Sequence, residues 1–207
     1  MRLTSSPLAI ALLVLGGCST ISSLDSASRS LDTYELTAVE AAGPAARSGG
    51  PTLAVSAPTS SGAIASDRIV IKPDALQVAF LGDGRWVDPA PVLIQQLLTR
   101  SLSSTGRFGL VTTNSTGPLP DHTLVVDIEA FQAEIAPEGA PAPVHVVVRL
   151  SVTVLNEGDG RVAAHRRFEA DAWASDDSAA VIVPAFDTAS ERVLREVVAW
   201  AASAARV

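Results

Sequence analysis

Cys18, the single cysteine of the 207-residue chain, is the residue whose type and position most directly indicate chemistry. Arg2 and the free amino terminus give a positively charged start, and an unbroken apolar run spans residues 8–15. Two small residues, Gly16 and Gly17, stand directly before the thiol. This order is the three-part layout of a secretory signal, and the run is well short of the roughly 20 residues of a membrane-spanning helix.

Residues 15–18, Leu-Gly-Gly-Cys, resemble the lipobox that bacterial lipoprotein-processing enzymes recognise. The thiol would accept a diacylglycerol, and cleavage would free the Cys18 amine for a further acyl chain. Two or more chains anchor a protein stably, whereas one gives only marginal binding. We therefore expect residues 1–17 to be a signal peptide and residues 18–33, rich in Ser, Thr and Asp, to be a lipidated tether. An ordinary secretory signal with a chance cysteine is the alternative, and the fit of Cys18 to the small residues disfavours it.

Ser19 bears on which membrane holds the anchor. In many diderm bacteria an aspartate directly after the lipidated cysteine retains the lipoprotein at the inner membrane, and other residues allow export. Ser19 therefore predicts lipid anchoring at the periplasmic face of the outer membrane.

The histidines do not indicate a catalytic or metal site. Gly-x-Ser-x-Gly, Walker and His-Glu-x-x-His motifs are absent from the sequence. His145 and His165 fall on adjacent strands of one predicted hairpin, whose register would place Val152 near His165 and Ala172 near His145. The two imidazoles would then lie too far apart to share a metal. His122 lies elsewhere in the chain, so we expect no metal site.

The paired carboxylates also have structural explanations. Asp127 and Glu129 lie on the polar side of a half-buried strand, and Asp176 and Asp177 precede a helix, whose dipole stabilises negative charge there. Three tryptophans could line an apolar groove, although packing in the core explains them equally well: Trp86, Trp173 and Trp200. We expect a protein that is not an enzyme and needs no cofactor.

Composition narrows the class of partner. Hydrophobic residues make up 47% of the chain and charged residues 18%, which is typical of a globular domain. The net charge of −7 and the pI near 4.9 exclude a nucleic-acid binder, because phosphates require a basic surface.

The amino-terminal half contains short strand patterns and one helix. The strand patterns cover Tyr34–Leu36, Thr52–Ser56, Asp67–Ile71 and Ala75–Phe80. The Gly82-Asp83-Gly84 sequence predicts a tight hairpin turn, because glycine tolerates positive φ. Asp88 is expected to cap a helix that has Pro89 at its first position and ends at Gly106. Because it comes early in the chain, Thr52–Ser56 could be an exposed sheet edge.

The carboxy-terminal half has the clearest periodicity. Apolar residues alternate with polar ones over residues 124–130, 144–154 and 161–173, which predicts an antiparallel meander with one buried face. A last helix is expected from Pro184 to Ala205. The predicted fold is α+β: an antiparallel or mixed sheet packed against two main helices, in one domain that spans residues 34–207.

The order of these segments, read with the lipobox, resembles the ABC-type transport auxiliary lipoprotein family. The resemblance covers most of the chain after Cys18, and its order and spacing carry more weight than any one segment. The matching segments are Tyr34–Leu36, Val55–Pro58, Asp67–Ile69, Val78–Leu81, Arg85–Pro91, Leu124–Phe131 and Arg166–Phe168.

The resemblance implies partners rather than a reaction. Related lipoproteins work beside an ABC ATPase, a permease and an MCE-domain protein in systems that move lipids between the inner and outer membranes. Such a role makes the membrane, reached through the lipid anchor, and the transporter subunits the expected partners. A stand-alone periplasmic lipoprotein for envelope assembly or integrity is the alternative, and the family supplies no catalytic residues to transfer.

We predict that Cys18 is the first residue of the mature chain and carries the acyl chains. Mass spectrometry of protein purified from a diderm host would show a diacylglyceryl thioether at Cys18, and Cys18→Ala would release the protein from the membrane fraction. A mature chain with a free thiol at position 18 would contradict the prediction.

Overall fold

The computed structural model describes residues 31–40, 49–113 and 117–205. Cys18 and the predicted tether up to residue 30 lie outside these residues, so the lipid site stays a prediction, whereas Asp32 and Thr33, expected in the tether, begin the first strand of the domain. From Asp32 onward the chain forms one compact unit.

The described residues contain nine strands and two helices. The strands are β1 (Asp32–Tyr34), β2 (Thr52–Val55), β3 (Thr59–Ser60), β4 (Arg68–Lys72), β5 (Ala79–Trp86), β6 (Leu110–Thr112), β7 (His122–Ile135), β8 (Val144–Asn156) and β9 (Arg161–Ala174). The helices are α1 (Ala90–Ser104) and α2 (Ala179–Ala204).

The sheet is organised around β7. On one side β7 pairs antiparallel with β8 over its whole length, and β8 pairs in turn with β9. On the other side three short strands, β2, β3 and β4, follow one another along β7, all parallel to it. β6 extends the sheet beyond β2, while β5 and then β1 extend it beyond β4. The antiparallel meander and the predicted α+β fold with a mixed sheet and two main helices are confirmed.

Three aromatic rings from different elements meet in the core. Trp86 of β5, Phe131 of β7 and Phe186 of α2 are each at most 1% exposed. Their ring centroids lie 5.5 Å apart for Trp86 and Phe131, 5.2 Å for Trp86 and Phe186, and 4.9 Å for Phe131 and Phe186. Such tilted and edge-on pairs stabilise a core beyond the burial of their area. The rest of the core follows the predicted periodicity, including the α2 stripe at Val193, Leu194, Val197, Val198 and Ala201.

Two strand boundaries differ from the prediction. The first strand ends at Tyr34 instead of Leu36, because only Asp32–Tyr34 pairs with β5, while Leu36 packs into the core at 3% exposure. β5 begins at Ala79 instead of Ala75. The Asp74 carboxylate accepts the backbone N–H groups of Leu76 and Gln77 at 2.8 and 2.9 Å, which holds the preceding residues in a turn.

The helix starts also differ from the prediction. Pro89 is the N-cap residue of α1, with an extended ψ of 138°, and no side chain caps the helix. The Asp88 carboxylate instead accepts the Gln96 side-chain amide at 3.3 Å. α2 begins at Ala179, so Pro184 lies inside it and deprives one helical carbonyl of its partner. Gly106 follows α1 with a φ of +63°, and the predicted helix end is confirmed.

The predicted hairpin turn at Gly82-Asp83-Gly84 is wrong, because these residues lie inside β5. Arg68 pairs with Arg85 and Val70 with Phe80, so β5 has three more residues than β4 in this interval. The segment is therefore a large bulge.

The bulge lets β5 reach the start of α2. It presents the Asp83 carboxylate to the backbone N–H of Ala179 at 3.0 Å, at the amino terminus of the helix. A Cβ atom on Gly84 would lie 2.8 Å from the Ala179 Cβ and 3.0 Å from the Tyr34 ring, so only glycine fits without a shift.

Gly84→Ala should therefore lower the free energy of unfolding by about 1–3 kcal/mol, the usual cost of overpacking. Gly82→Ala is the matched control, because its Cβ would meet no atom within 4 Å. Urea unfolding followed by circular dichroism measures both variants. Equal midpoints would show that β5 does not approach α2 this closely.

Candidate functional site

The three histidines lie apart and each has an ordinary partner. His145 pairs with Trp173 and His165 with Thr153, one residue from the predicted pairings. The two imidazoles are thus separated by eight positions of β8, or about 26 Å. His145 Nε2 lies 3.0 Å from the Asp171 carboxylate, and His122 Nε2 lies 3.2 Å from the Ala205 carbonyl.

The predicted carboxylate pairs serve local structure. Asp127 accepts a hydrogen bond from the Thr59 hydroxyl at 2.6 Å, which connects β3 to β7, and Glu129 pairs with Arg167 at 2.9 Å. Hydrogen bonds from the Ser178 hydroxyl and backbone N–H lower the pKa of Asp176, just before α2. Within the described ranges, no group of three or more His, Cys, Asp or Glu side chains could hold a metal ion.

The open face of the meander, opposite the core, carries cross-strand ion pairs. Arg149 of β8 makes a bidentate pair with Glu169 of β9, with N–O distances of 2.7 and 2.8 Å. The Arg149 guanidinium lowers the pKa of Glu169, and Glu169 raises the pKa of Arg149 in return. Like the neighbouring pair of Arg167 with Glu129, it is half-exposed. These charges satisfy one another and stabilise the sheet.

The three tryptophans do not line a common groove. Trp86 is buried in the core. Trp173 lies on the open face, stacked on His145 with a centroid distance of 4.3 Å, and is 40% exposed. Trp200 packs edge-on against Phe168 at 5.4 Å.

The sheet edges offer little to an incoming strand. The predicted edge at Thr52–Ser56 is wrong, because β2 lies between β6 and β7. Of the edge strands, β1 and β6 have three residues each. The long edge strand β9 is rich in charged residues, and Arg192 of α2 donates a hydrogen bond to the Asp171 carbonyl at 2.9 Å. Short edges and charged, covered edges are the usual protection against strand addition.

Three exposed apolar side chains lie close together in sequence on the β4–β5 hairpin. Leu76, Val78 and Phe80, here named the apolar tip, are 95%, 53% and 43% exposed. The Arg68 guanidinium lies 5.5 Å from the centre of the Phe80 ring and donates to the Leu81 carbonyl at 3.1 Å, which supports the base of the tip.

Sequence reasoning missed this feature because it assigned residues 75–80 to a half-buried strand. The Pro73-Asp74 pair, a turn former directly before those residues, was the available signal.

A second apolar surface lies at the other end of β5. Val87 follows Trp86 directly and is 49% exposed, and Val92 on the first turn of α1 is 40% exposed. Both valines lie close in sequence to the buried Trp86. Among the described helices, none has the length and apolarity needed to cross a membrane.

Comparisons with known proteins identify the family of the chain. A family model described as "ABC-type transport auxiliary lipoprotein component" matches residues 34–198. An uncharacterized protein from Bradyrhizobium diazoefficiens is 29% identical over 168 residues, which is 81% of this chain and 44% of the relative. The chain therefore spans less than half the length of that curated relative.

Solved structures share the fold. A crystal structure of a protein from Xanthomonas campestris superposes with a TM-score of 0.73 at 24% identity and covers 84% of this chain and 96% of that one. A crystal structure described as an uncharacterized protein has a TM-score of 0.62 at 18% identity and covers 84% and 99% of the two chains. At these identities the likeness establishes the fold alone.

The lowered pKa of Glu169 predicts a pH dependence of stability. Its pair with Arg149 contributes fully above the unfolded glutamate pKa of about 4.3 and is lost as the pH falls through the lower folded value. Glu169→Gln should cost up to about 1 kcal/mol at pH 7, as exposed pairs do, and should make the acid-side decline less steep.

Urea unfolding at several pH values between 7 and 3 measures this, with Glu138→Gln in the β7–β8 loop as the control. Glu138 has no ion pair among the described residues. Parallel declines for the wild type and Glu169→Gln would contradict the prediction.

Proposed function

The chain belongs to the ABC-type transport auxiliary lipoprotein family, and from that premise we propose that it is the anchored auxiliary subunit of an MCE-type system that moves lipids between the inner and outer membranes. The family match over residues 34–198 carries the proposal. In this role the lipid on Cys18 would hold the domain at the periplasmic face of the outer membrane. The folded domain would bind the MCE-domain protein, the permease, or the complex that these two form with the ATPase.

The chemistry of the described surface supports docking over catalysis. The histidines are separated, and the carboxylates of the open face are engaged by arginines or hydroxyls. Thr153 Oγ1 lies 3.0 Å from His165 Nδ1, but among the described residues no third side chain is hydrogen-bonded to that imidazole to orient it, as in a catalytic triad. We therefore propose that the protein acts by binding and is not an enzyme.

The surface formed by Val87 and Val92 is the proposed contact with the transporter subunit. Val87 directly follows the buried Trp86, and Val92 lies beside the buried Leu93 in the first turn of α1, so both valines belong to segments that are anchored in the core. A rigid support reduces the entropy that a docking surface loses on binding. The charged β9 edge lacks this combination of apolarity and support.

Affinity purification of the full-length lipoprotein from detergent-solubilised membranes of a native host should recover the MCE-domain subunit. Photo-crosslinking residues at Val87 and Val92 should crosslink to it, whereas Val162, an equally apolar residue that is 61% exposed on β9, serves as the control. Deletion of the gene should weaken the envelope barrier to detergents.

The outcomes separate the claims. Recovery of an MCE subunit without crosslinks at Val87 or Val92 would reject the surface only. If neither purification nor crosslinking recovers any transporter subunit, the stand-alone lipoprotein for envelope assembly becomes the better description.

A further inference from the structure

The apolar tip lies at one end of the sheet, together with other groups suited to a membrane surface. The end of β4 at Lys72 pairs with Glu134, near the carboxyl end of β7, and the tip residues follow directly in the connection to β5. We refer to this end of the sheet as the tip end.

A single row of side chains crosses the open face at the tip end. The register aligns Trp173 of β9 with His145 of β8, His145 with Glu134 of β7, and Glu134 with Lys72 of β4. Trp173 is half-exposed and stacked on His145. Tryptophan and lysine are residues that favour the boundary between water and lipid, since each combines an apolar body with a polar end.

The chain also enters the domain in a direction that fits this end. β1 is parallel to β5, with Asp32 opposite Gly84 and Tyr34 opposite Trp86. Since β5 starts at Ala79 beside the tip and runs away from it, Asp32 is the end of β1 nearer the tip end. Only 13 residues, 19–31, separate the described strand from Cys18, a contour of at most about 45 Å.

We propose that the apolar tip inserts into the phospholipid surface that holds the acyl anchor, so that the domain contacts the membrane at two points. The proposal rests on the lipoprotein anchor of the proposed function. A short tether keeps the tip at a high effective concentration near the bilayer, so even weak insertion becomes populated. The second contact would fix the orientation of the domain and turn Val87 and Val92, at the other end of β5, away from the membrane.

The shape and charge of the tip favour lipid over a protein partner. Leu76 is 95% exposed at the turn of a protruding hairpin, which a fluid bilayer accommodates without a preformed cleft. Lys72 is accompanied by Asp74 and Glu134, so this end has no excess of positive charge. Insertion should therefore be apolar and should not require anionic lipid.

The test uses the full-length lipoprotein incorporated into phosphatidylethanolamine–phosphatidylcholine vesicles. Lipid blocks the Cys18 thiol, so Leu76→Cys supplies the single free thiol for an environment-sensitive fluorophore. Leu119→Cys is the matched control, because Leu119 is 92% exposed and precedes β7 at its opposite end, about 40 Å away along the strand.

We expect the label at position 76 to shift to shorter emission wavelength and to be quenched by lipids with quenchers in their acyl chains, and the label at 119 to remain unchanged. Addition of 20% phosphatidylglycerol should leave both results the same. Leu76→Cys labelled in the Val78→Asp background should lose most of the quenching, since the exposed Val78 side chain can change without affecting the core.

Vesicle flotation distinguishes failure of this inference from failure of the anchor. Protein that floats with an unquenched label at 76 would overturn insertion while leaving the lipoprotein role intact. A label at 76 that responds only after a transporter subunit is added would assign the tip to a protein partner and also overturn insertion. Protein that does not float would contradict the anchor and the insertion together.

Discussion

The contact of Trp86, Phe131 and Phe186 is the interaction on which the rest of the domain depends. It joins β5, the central strand β7 and α2 in one three-way aromatic contact. The bulge at residues 82–84 supports this contact. Within four residues it lets β5 present Trp86 to the core and Asp83 to the amino terminus of α2. With α2 held in this way, the meander has a fixed layer to pack against.

This arrangement divides the surface into regions with distinct chemistry. The open face of the meander is satisfied by its own ion pairs, and the long edge strand is charged and partly covered by α2. Several exposed apolar side chains lie at or beside the two ends of β5: Leu76, Val78, Phe80, Val87 and Val92. β5 therefore connects both the apolar tip and the surface at Val87 and Val92 to the same core.

Sequence reasoning was most successful where a periodicity extended over many residues. The meander could be predicted because the alternation of β8, from Val144 to Val154, leaves no other choice of buried face, whereas the predicted histidine pairings were one residue off because an irregularity between Val154 and Leu155 shifts the register. The α2 stripe followed from the same kind of repeat. These patterns show which residues of an element are buried. Their burial depends on the element itself and on the elements packed directly against it.

Features that depend on distant partners were not predictable in this way. The segment at residues 82–84 has the composition of a turn, and only its contacts with Ala179 and Tyr34 make it a bulge. The position of β2 inside the sheet depends on β6 and β7, which follow it by more than fifty residues.

The parallel pairing of β2, β3 and β4 with β7 has a further consequence for folding. Thr59 and its partner Asp127 are 68 residues apart, so β3 has no strand to pair with, and the β1–β5–β4 group cannot join the rest of the sheet, until β7 is available. A nascent chain of this topology cannot complete its sheet until residue 135 has emerged, which would suit the export across a membrane that the lipobox predicts.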